Sequence, residues 1–424
     1  MLSFVHAADL HLDSPFSSLG RCDEALAGLL KEATFQAYQN LIALCIRRRA
    51  DFLLVAGDVY DGADRSLRAQ LQFRDGLQEL AQAGIRAYVA HGNHDPLDGW
   101  ISTIAWPENA HVFGPEVETV PFLKDGSPCA LIQGVSFPRS DVRENLARRF
   151  RAAESGLFQI GLLHCNVGAN TGHEPYAPCT MEDLARAGLD YWALGHVHAR
   201  RALSAESPAA VYPGNPQGRH RNESGPRGCC FVEVRADHTV KTEFVPLDAV
   251  RWSEAAVSVE GLSSEEELLR ALMDCLEGVS QGAGGRPSLL RLTIEGRGAL
   301  HAALRREGHE ADLREHLHGK GRALAPWVGI AGLLLKTRPA VDPAARREAQ
   351  DFVGDCLRLL QAAREDPVGA AWVRQALNPL YNDAEIGKML REKRLRAPEG
   401  EALQALLDEA ETLTLDLLLG EEGS

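Results

Sequence analysis

The chain has 424 residues, 45% of them hydrophobic and 25% charged, with a formal net charge of −14. That length predicts more than one domain and the composition fits a soluble globular protein. The acidity argues against a whole surface that binds nucleic acid, because duplex binding rests on Lys and Arg neutralising phosphates, and no apolar run is long enough to span a bilayer, so no membrane partner is expected.

Residues 1–250 alternate strand and helix patterns. Residues 2–8 are apolar and run straight into polar residues with no basic region before them, as a first strand does and a signal peptide does not. Residues 24–49 carry Leu26, Leu29, Leu30, Ala33, Ala37, Leu41, Leu44 and Cys45 at helical spacing. A strand is predicted at 52–56, a helix at 66–83 closed by Gly84, and a third strand at 87–90. This rhythm predicts a sheet with helices on both faces. Further strands are predicted at 129–137, 158–163, 191–194 and 209–212, with a hairpin over 230–235 and 240–245. Residues 139–153 read as a basic helix and 166–178 as a long polar loop.

The rhythm changes near residue 250. A strand at 252–259, a helix starting at Ser263-Ser264-Glu265-Glu266, a Gly-rich loop at 278–285 and strands at 288–294 and 327–335 around two short helical segments predict a small α+β domain over 251–340. Strand signals stop beyond Pro339 and Pro343. Amphipathic helices are predicted at 344–363 and 401–419, around a mixed-charge stretch at 388–396, and the chain ends in the acidic Gly420-Glu421-Glu422-Gly423-Ser424. This helical tail, 341–424, reads either as an appendage packed on the second domain or as a docking arm for a partner. The nine cysteines are scattered without a CxxC pair, which predicts reduced thiols and a cytoplasmic protein.

Polar residues gather where the apolar strands end. The first strand ends in Asp9 and His11, the second in Asp58 with Asp61 one turn on, and the third in Asn93, His94 and Asp95. The strand at 158–163 ends at His164, and that at 191–194 in Gly195-His196-Val197-His198. In open α/β sheets ligands sit beyond such strand ends. Singly, each group is an ordinary turn or a satisfied core histidine; five in order, each after an apolar strand, make a motif. Counted as ligands, Asp9, His11, Asp58, Asn93, His164, His196 and His198 are two Asp, one Asn and four His, with His94 and Asp61 kept aside. These are too many for one open metal site and suit two cations with a carboxylate between them, for which Asp58 is the natural bridge. Carboxylate, amide and imidazole donors together suit Mn²⁺, Fe²⁺ or Zn²⁺ better than Ca²⁺.

These blocks resemble the signature of the calcineurin-like metallophosphoesterases over residues 1 to 250. The resemblance implies a β-sandwich flanked by helices, an α/β fold, and two divalent metal ions, Mn²⁺ first with Fe²⁺ or Zn²⁺ as alternatives. One ion is held by Asp9, His11, Asp58 and His198 and the other by Asp58, Asn93, His164 and His196. It also implies that His94 assists the leaving oxygen and that Asp61 pairs with His94. Ala7-Ala8-Asp9-Leu10-His11-Leu12-Asp13, Gly57-Asp58-Val59-Tyr60-Asp61 and Tyr212-Pro213-Gly214-Asn215-Pro216-Gln217-Gly218-Arg219 are most similar to the DNA-repair exonuclease branch, the SbcD-like nucleases and their YhaO-like bacterial members. That branch implies a capping domain at 251–340, DNA as substrate and an SMC-like coiled-coil ATPase as partner; a homodimer is left open.

Arg219, His220 and Arg221 are candidate substrate contacts, as is Arg139, whereas Arg143–Arg151 reads as a solvated face. The expected function is a metal-dependent phosphodiesterase acting on DNA in repair. Its alternatives are a phosphoesterase for a small nucleotide or cyclic nucleotide, and a non-catalytic scaffold of an ATPase complex. No ligand and no His94 is missing, which speaks against the scaffold.

Overall fold

Strand β1 (Leu2–Ala7) is buried along nearly its whole length, and its side chains alternate between two different cores. Helix α1 (Glu24–Arg48), β2 (Phe52–Ala56), α2 (Leu67–Gln82) and β3 (Arg86–Ala90) follow. Helix α2 starts where Ser66 Oγ accepts a hydrogen bond from the Ala69 amide at 3.0 Å, an N-cap that satisfies one of the free amides of the first turn. Strands β1, β2 and β3 pair in parallel, so all three deliver their carboxyl ends to one edge. The computed structural model describes residues 2–16, 24–62, 66–99, 104–168, 174–383, 385–392 and 397–419.

The chain continues through β4 (Ala110–Val112), β5 (Glu118–Lys124), β6 (Ser127–Gly134), β7 (Phe158–His164), α3 (Met181–Arg186), β8 (Tyr191–Gly195), β9 (Arg201–Ser204), β10 (Ala209–Tyr212), β11 (Gly228–Val234) and β12 (Val240–Pro246). Two six-stranded sheets result, in the orders β12-β11-β1-β2-β3-β4 and β5-β6-β7-β8-β10-β9. Phe4, Phe52, Leu54, Tyr88, Ile160 and Tyr191 fill the space between them, with Phe4 stacked on Phe52 at 5.0 Å and meeting Tyr191 edge-on at 5.3 Å. The alternate residues Val5, Leu53 and Val55 face the other way, against Leu41, Phe73 and Leu77 of α1 and α2. This is the period of two of a strand buried on both faces.

The sandwich flanked by helices that the resemblance implies is present, and the sheet with helices on both faces that the strand–helix rhythm alone predicts is corrected. One face of the first sheet carries helices and the other carries the second sheet, because periodicity shows that a face is apolar but not what covers it. Residues 139–153 are not a helix either. Only Leu146–Arg149 makes a 3₁₀ turn. Arg139 Nε donates to the Asp141 carbonyl at 3.1 Å and Arg143 pairs with the Asp141 carboxylate, a local network that competes with helix formation. The helix-like spacing of Val142, Leu146, Ala147 and Phe150 is met by irregular backbone that buries them beside Trp192. The hairpin of β5 and β6 was not anticipated, although Asp125-Gly126 at its turn is a strong signal for one.

Two compact units emerge: Met1–Ser253 with Val279–Leu290 and Leu324–Ala331, and Glu254–Gly278 with Arg291–Ala323 and Gly332–Ser424. Strands β13 (Arg251–Ser258), β14 (Ser288–Arg297) and β15 (Val328–Arg338) form a three-stranded sheet; α4 (Glu265–Gly282), α5 (His301–Leu304) and α6 (His309–Arg322) lie between them in the chain. Then come α7 (Pro343–Arg347), α8 (Phe352–Glu365), α9 (Pro367–Asn382), α10 (Ile386–Glu392) and α11 (Glu401–Leu419). The single helix expected at 344–363 is broken where Asp351 caps α8, its carboxylate accepting from the Gly354 amide at 2.9 Å. Helix α9 was not anticipated; it starts at Asp366 with Pro367 in its first turn.

The tail packs within its unit. Leu357 and Leu415 are buried together, and the nearly buried Glu411 accepts from Arg297 at 3.0 Å and Arg364 at 2.7 Å. His301 Nε2 lies 2.6 Å from Asp416 Oδ1. Residues 393–396 of the mixed-charge stretch and the acidic end 420–424 lie outside the described residues. No helix among the described residues is long and apolar enough to cross a membrane.

Candidate metal centre

Strands of both sheets supply the centre. Asp9 and His11 follow β1, Asp58 follows β2, Asn93 follows β3, His164 ends β7, and His196 and His198 follow β8. The first two turns are zipped together: the Asp9 amide donates to the Gly57 carbonyl at 3.0 Å and the His11 amide to the Asp58 carbonyl at 3.0 Å. Asp9, His11, Asp58 and His196 all take positive φ, at 54°, 43°, 53° and 99°. Such a conformation is costly for residues with side chains and clusters where surrounding structure enforces it at functional sites. Glycine is required where backbone must come close. A Cβ on Gly92 would sit 2.3 Å from Asp58 Oδ1, and one on Gly195 would sit 1.7 Å from the Ala56 carbonyl oxygen.

Donor atoms of Asp9, His11 and His198 lie within 4.8 Å of one another, as do those of Asp9, Asp58 and His164, and those of His11, Asp61 and His94. His11 Nε2 and His198 Nε2 are 3.2 Å apart. Asp58 Oδ2 lies between the two halves, 3.8 Å from His11 Nε2 and 3.4 Å from His164 Nε2. Asn93 Oδ1 is 3.0 Å from His164 Nε2. The His196 amide donates to the Asp9 carboxylate at 3.0 Å, and the His196 ring packs edge-on to His164 with centroids 5.2 Å apart.

The outward nitrogens decide what the inward ones offer. His164 Nδ1 donates to the Ala56 carbonyl at 2.9 Å and His196 Nε2 to the Glu174 carbonyl at 2.9 Å. His198 Nδ1 donates to Glu223 Oε1 at 2.6 Å, and His11 Nδ1 lies 2.9 Å from Asp61 Oδ1. With their protons drawn outward, His11, His164 and His198 turn acceptor Nε2 atoms to the centre. Lone pairs of His11 and His198 point at each other, and that of His164 points at the oxygens of Asn93 and Asp58. Acceptors facing acceptors in a buried place call for positive charge, so the donor set fits divalent cations.

The electrostatics agree. Burial, with Asp95 and Asp9 nearby, pushes the Asp58 carboxyl well above the usual carboxylate range. Burial likewise raises Asp9, to about 6, against the pull of His198. Burial holds His11 and His164 well below the ordinary histidine value, as neutral imidazoles.

Residues 2–200 match the calcineurin-like phosphoesterase family, and residues 252–338 match the middle domain of the metallophosphoesterase YhaO. The metallophosphoesterase YhaO of Bacillus subtilis is 41% identical over 296 residues, 70% of this chain and 72% of its own length. The chain belongs to the calcineurin-like metallophosphoesterase family. Members of this family use two divalent metals. The DNA double-strand break repair protein Mre11 of Methanopyrus kandleri is 25% identical over 348 residues, 74% of this chain and 73% of that protein. A solved dimetal phosphatase from Danio rerio aligns with 55% of this metallophosphoesterase and 93% of its own chain, at 10% identity and a TM-score of 0.34.

The remaining candidates divide. His94 is 43% exposed beside the buried cluster, its ring edge-on to His11 at 4.9 Å, and its Nδ1 is 3.7 Å from Asp61 Oδ1. Burial lowers its pKa despite the nearby Asp61 carboxylate. Asp61 is engaged more closely elsewhere, by His11, by Arg219 Nη1 at 2.8 Å and by Ser14 Oγ at 2.7 Å. Against the opposing effect of burial, His11 and Arg219 hold its carboxyl well below the usual range. Of the three basic-loop residues, Arg219 alone bonds into the cluster among the described residues. His220 Nδ1 accepts from the Asn222 amide at 3.1 Å, and Arg221 is exposed. Arg139 is exposed on the segment where a helix was expected.

Two residues of the centre have no role assigned from sequence, although Asp95 stands there among the strand-end groups. The fully buried Asp95 accepts from the Val59 amide at 2.8 Å and the Gly92 amide at 2.7 Å, and lies 3.0 Å from His91 Nδ1, which locks the turns after β2 and β3 together. Its place directly after Asn93-His94 was a signal for it. Glu223 had no comparable signal, since it lies in the loop after Arg219 and reads there as a counter-charge.

Proposed function

We propose that this metallophosphoesterase cleaves phosphodiester bonds at DNA ends. The convergence of Asp9, His11, Asp58, Asn93, His164 and His198 from both sheets, with the His196 ring packed on His164 and His94 exposed beside them, carries the reading. The similarity to proteins named for DNA double-strand break repair supports DNA as the substrate. Asp9, His11, Asp58 and His198 would hold one cation, and Asp58, Asn93, His164 and His196 the other. Mn²⁺ is favoured by the mixed donors. Bound cations supply positive charge for the phosphoryl oxygens and lower the pKa of water.

The chain's own groups do the rest. His94 donates a proton to the departing sugar oxygen, a role that needs it solvent-accessible and close to the ligands without being one. Asp61 seats His11 and, at longer range, favours the protonated form of His94. Asp95 keeps the turns bearing Asp58 and Asn93 in register. Arg221, exposed on its turn, and His220 beside it would meet a phosphate backbone.

A coiled-coil ATPase of the SMC type is the partner we propose for the tail. Val368 and Trp372 are 73% and 64% exposed on α9, and Phe352 and Leu359 are exposed on α8. Apolar groups uncovered at this density suit a helical partner. The eight described cysteines are free thiols, as a reducing cytoplasm keeps them.

The test is Mn²⁺-dependent digestion of end-labelled linear duplex, covalently closed circular duplex and a chromogenic diester. Cleavage of the linear duplex with the circle spared is expected. Turnover of the chromogenic diester alone would show that the substrate is a small nucleotide instead.

A further inference from the structure

The two imidazoles assigned to the first cation share a feature: a carboxylate at the ring nitrogen turned away from the centre. Behind His198 stands the carboxylate of Glu223, at 2.6 Å from Nδ1, and behind His11 stands that of Asp61, at 2.9 Å. His164 Nδ1 and His196 Nε2 meet the backbone carbonyls of Ala56 and Glu174, each at 2.9 Å. Either kind of partner fixes which nitrogen carries the proton. A carboxylate also adds negative charge and makes the ligating nitrogen more basic.

The two carboxylates are tied to each other. The Arg219 amide donates to Glu223 Oε2 at 2.7 Å, and the Arg219 guanidinium donates to Asp61 Oδ1 at 2.8 Å and to Ser14 Oγ. The Glu223 carboxylate accepts a third bond, at Oε2, from Nδ2 of the buried Asn215 at 3.2 Å. Arg219 thus straps the loop carrying Glu223 to the turn carrying Asp61, and its side chain is 14% exposed. That makes it an anchor of the centre and leaves it little freedom to bind substrate phosphate.

We infer that Glu223 is a positioning residue for the first cation, acting through His198 and strapped by Arg219 to the Asp61–His11 pair, so that this cation is held more tightly than the second. The inference rests on the ligand reading proposed above.

Mn²⁺ titration of the metal-stripped, full-length protein tests it, with calorimetry for affinity and electron paramagnetic resonance for bound ion. The wild type is expected to show a tight and a weak binding event. Glu223→Gln keeps the side-chain shape and removes the charge, and should weaken the tight event by about 10–100-fold while the weak one stays. Glu223→Asp, which keeps a carboxylate drawn back from Nδ1, should fall between, and serves if the glutamine variant does not fold. Arg219→Met should weaken the same event by less. A merely structural role would loosen both events together. Equal weakening of both, weakening of the weak event alone, or no change would overturn the inference and leave the ligand reading standing. Failure of the wild type to take up two ions would instead bring down the ligand reading itself.

Discussion

A methyl group at position 195 should damage fold and centre together. Gly195 ends β8, opposite His164 in the parallel pairing with β7. A Cβ there would lie 1.7 Å from the Ala56 carbonyl oxygen and 2.9 Å from His164 Nδ1. Reaching ordinary contact needs a displacement of about 1.5 Å, and the obstacle is backbone inside a sandwich with little slack. Overpacking of this kind typically costs about 1–3 kcal/mol, and the upper end is expected because no flexible side chain can give way. The carbonyl that must move is the one holding His164 Nδ1. Gly195→Ala should therefore lose about 3 kcal/mol in urea unfolding of the metal-free protein, and the folded fraction should bind the second cation more weakly. Gly278→Ala is the control, since a Cβ there meets nothing within 4 Å on helix α4. It should stabilise by about 0.5–1 kcal/mol. Wild-type stability and full metal content in Gly195→Ala would refute the close approach of the two strands.

Three further perturbations separate the roles of the residues. Asp58→Asn should weaken both cations together, because Asp58 faces His11 and His164 alike; metal analysis that finds one ion kept at wild-type affinity would end the bridging assignment. His94→Ala should lower turnover by about 10²–10⁴ with metal content unchanged, and less so for a diester with a very good leaving group. If metal is lost instead, His94 is a ligand. Trp372→Glu, on the exposed face of α9, should abolish co-purification with the ATPase while metal-dependent cleavage persists; an undisturbed complex would move the docking surface elsewhere.

The route from sequence to centre is short for the ligands and long for what holds them. Each ligand group follows an apolar strand, so a glycine and a polar pair after such a run betray it locally. That is why Asp9, His11, Asp58, Asn93, His164, His196 and His198 were legible as candidates one strand at a time. The second sheet was legible as a cover through the family resemblance and not through periodicity, because Phe4, Phe52 and Leu54 look the same in sequence whether they face a helix or Tyr191 and Ile160 of another sheet. The stretch at 139–153 misled for a related reason: burial of Val142, Leu146 and Phe150 demands apolar residues at intervals that an irregular chain can also supply.

Glu223 marks where local reading ends. Its partner His198 is 25 residues away, and the strap through Arg219 reaches Asp61, 158 residues away. No spacing rule links such positions; only closure of the sandwich brings them together. Yet it is this long-range layer that decides the chemistry of the nitrogens. An imidazole at a strand end can present either nitrogen, in either protonation state, and burial alone leaves it neutral without choosing between them. The choice is made by what stands behind the ring: carboxylates for His11 and His198, carbonyls for His164 and His196. Sequence therefore names the candidate donor residues. The fold, by the partners it sets behind them, selects the donor atoms and how strongly each can hold a cation.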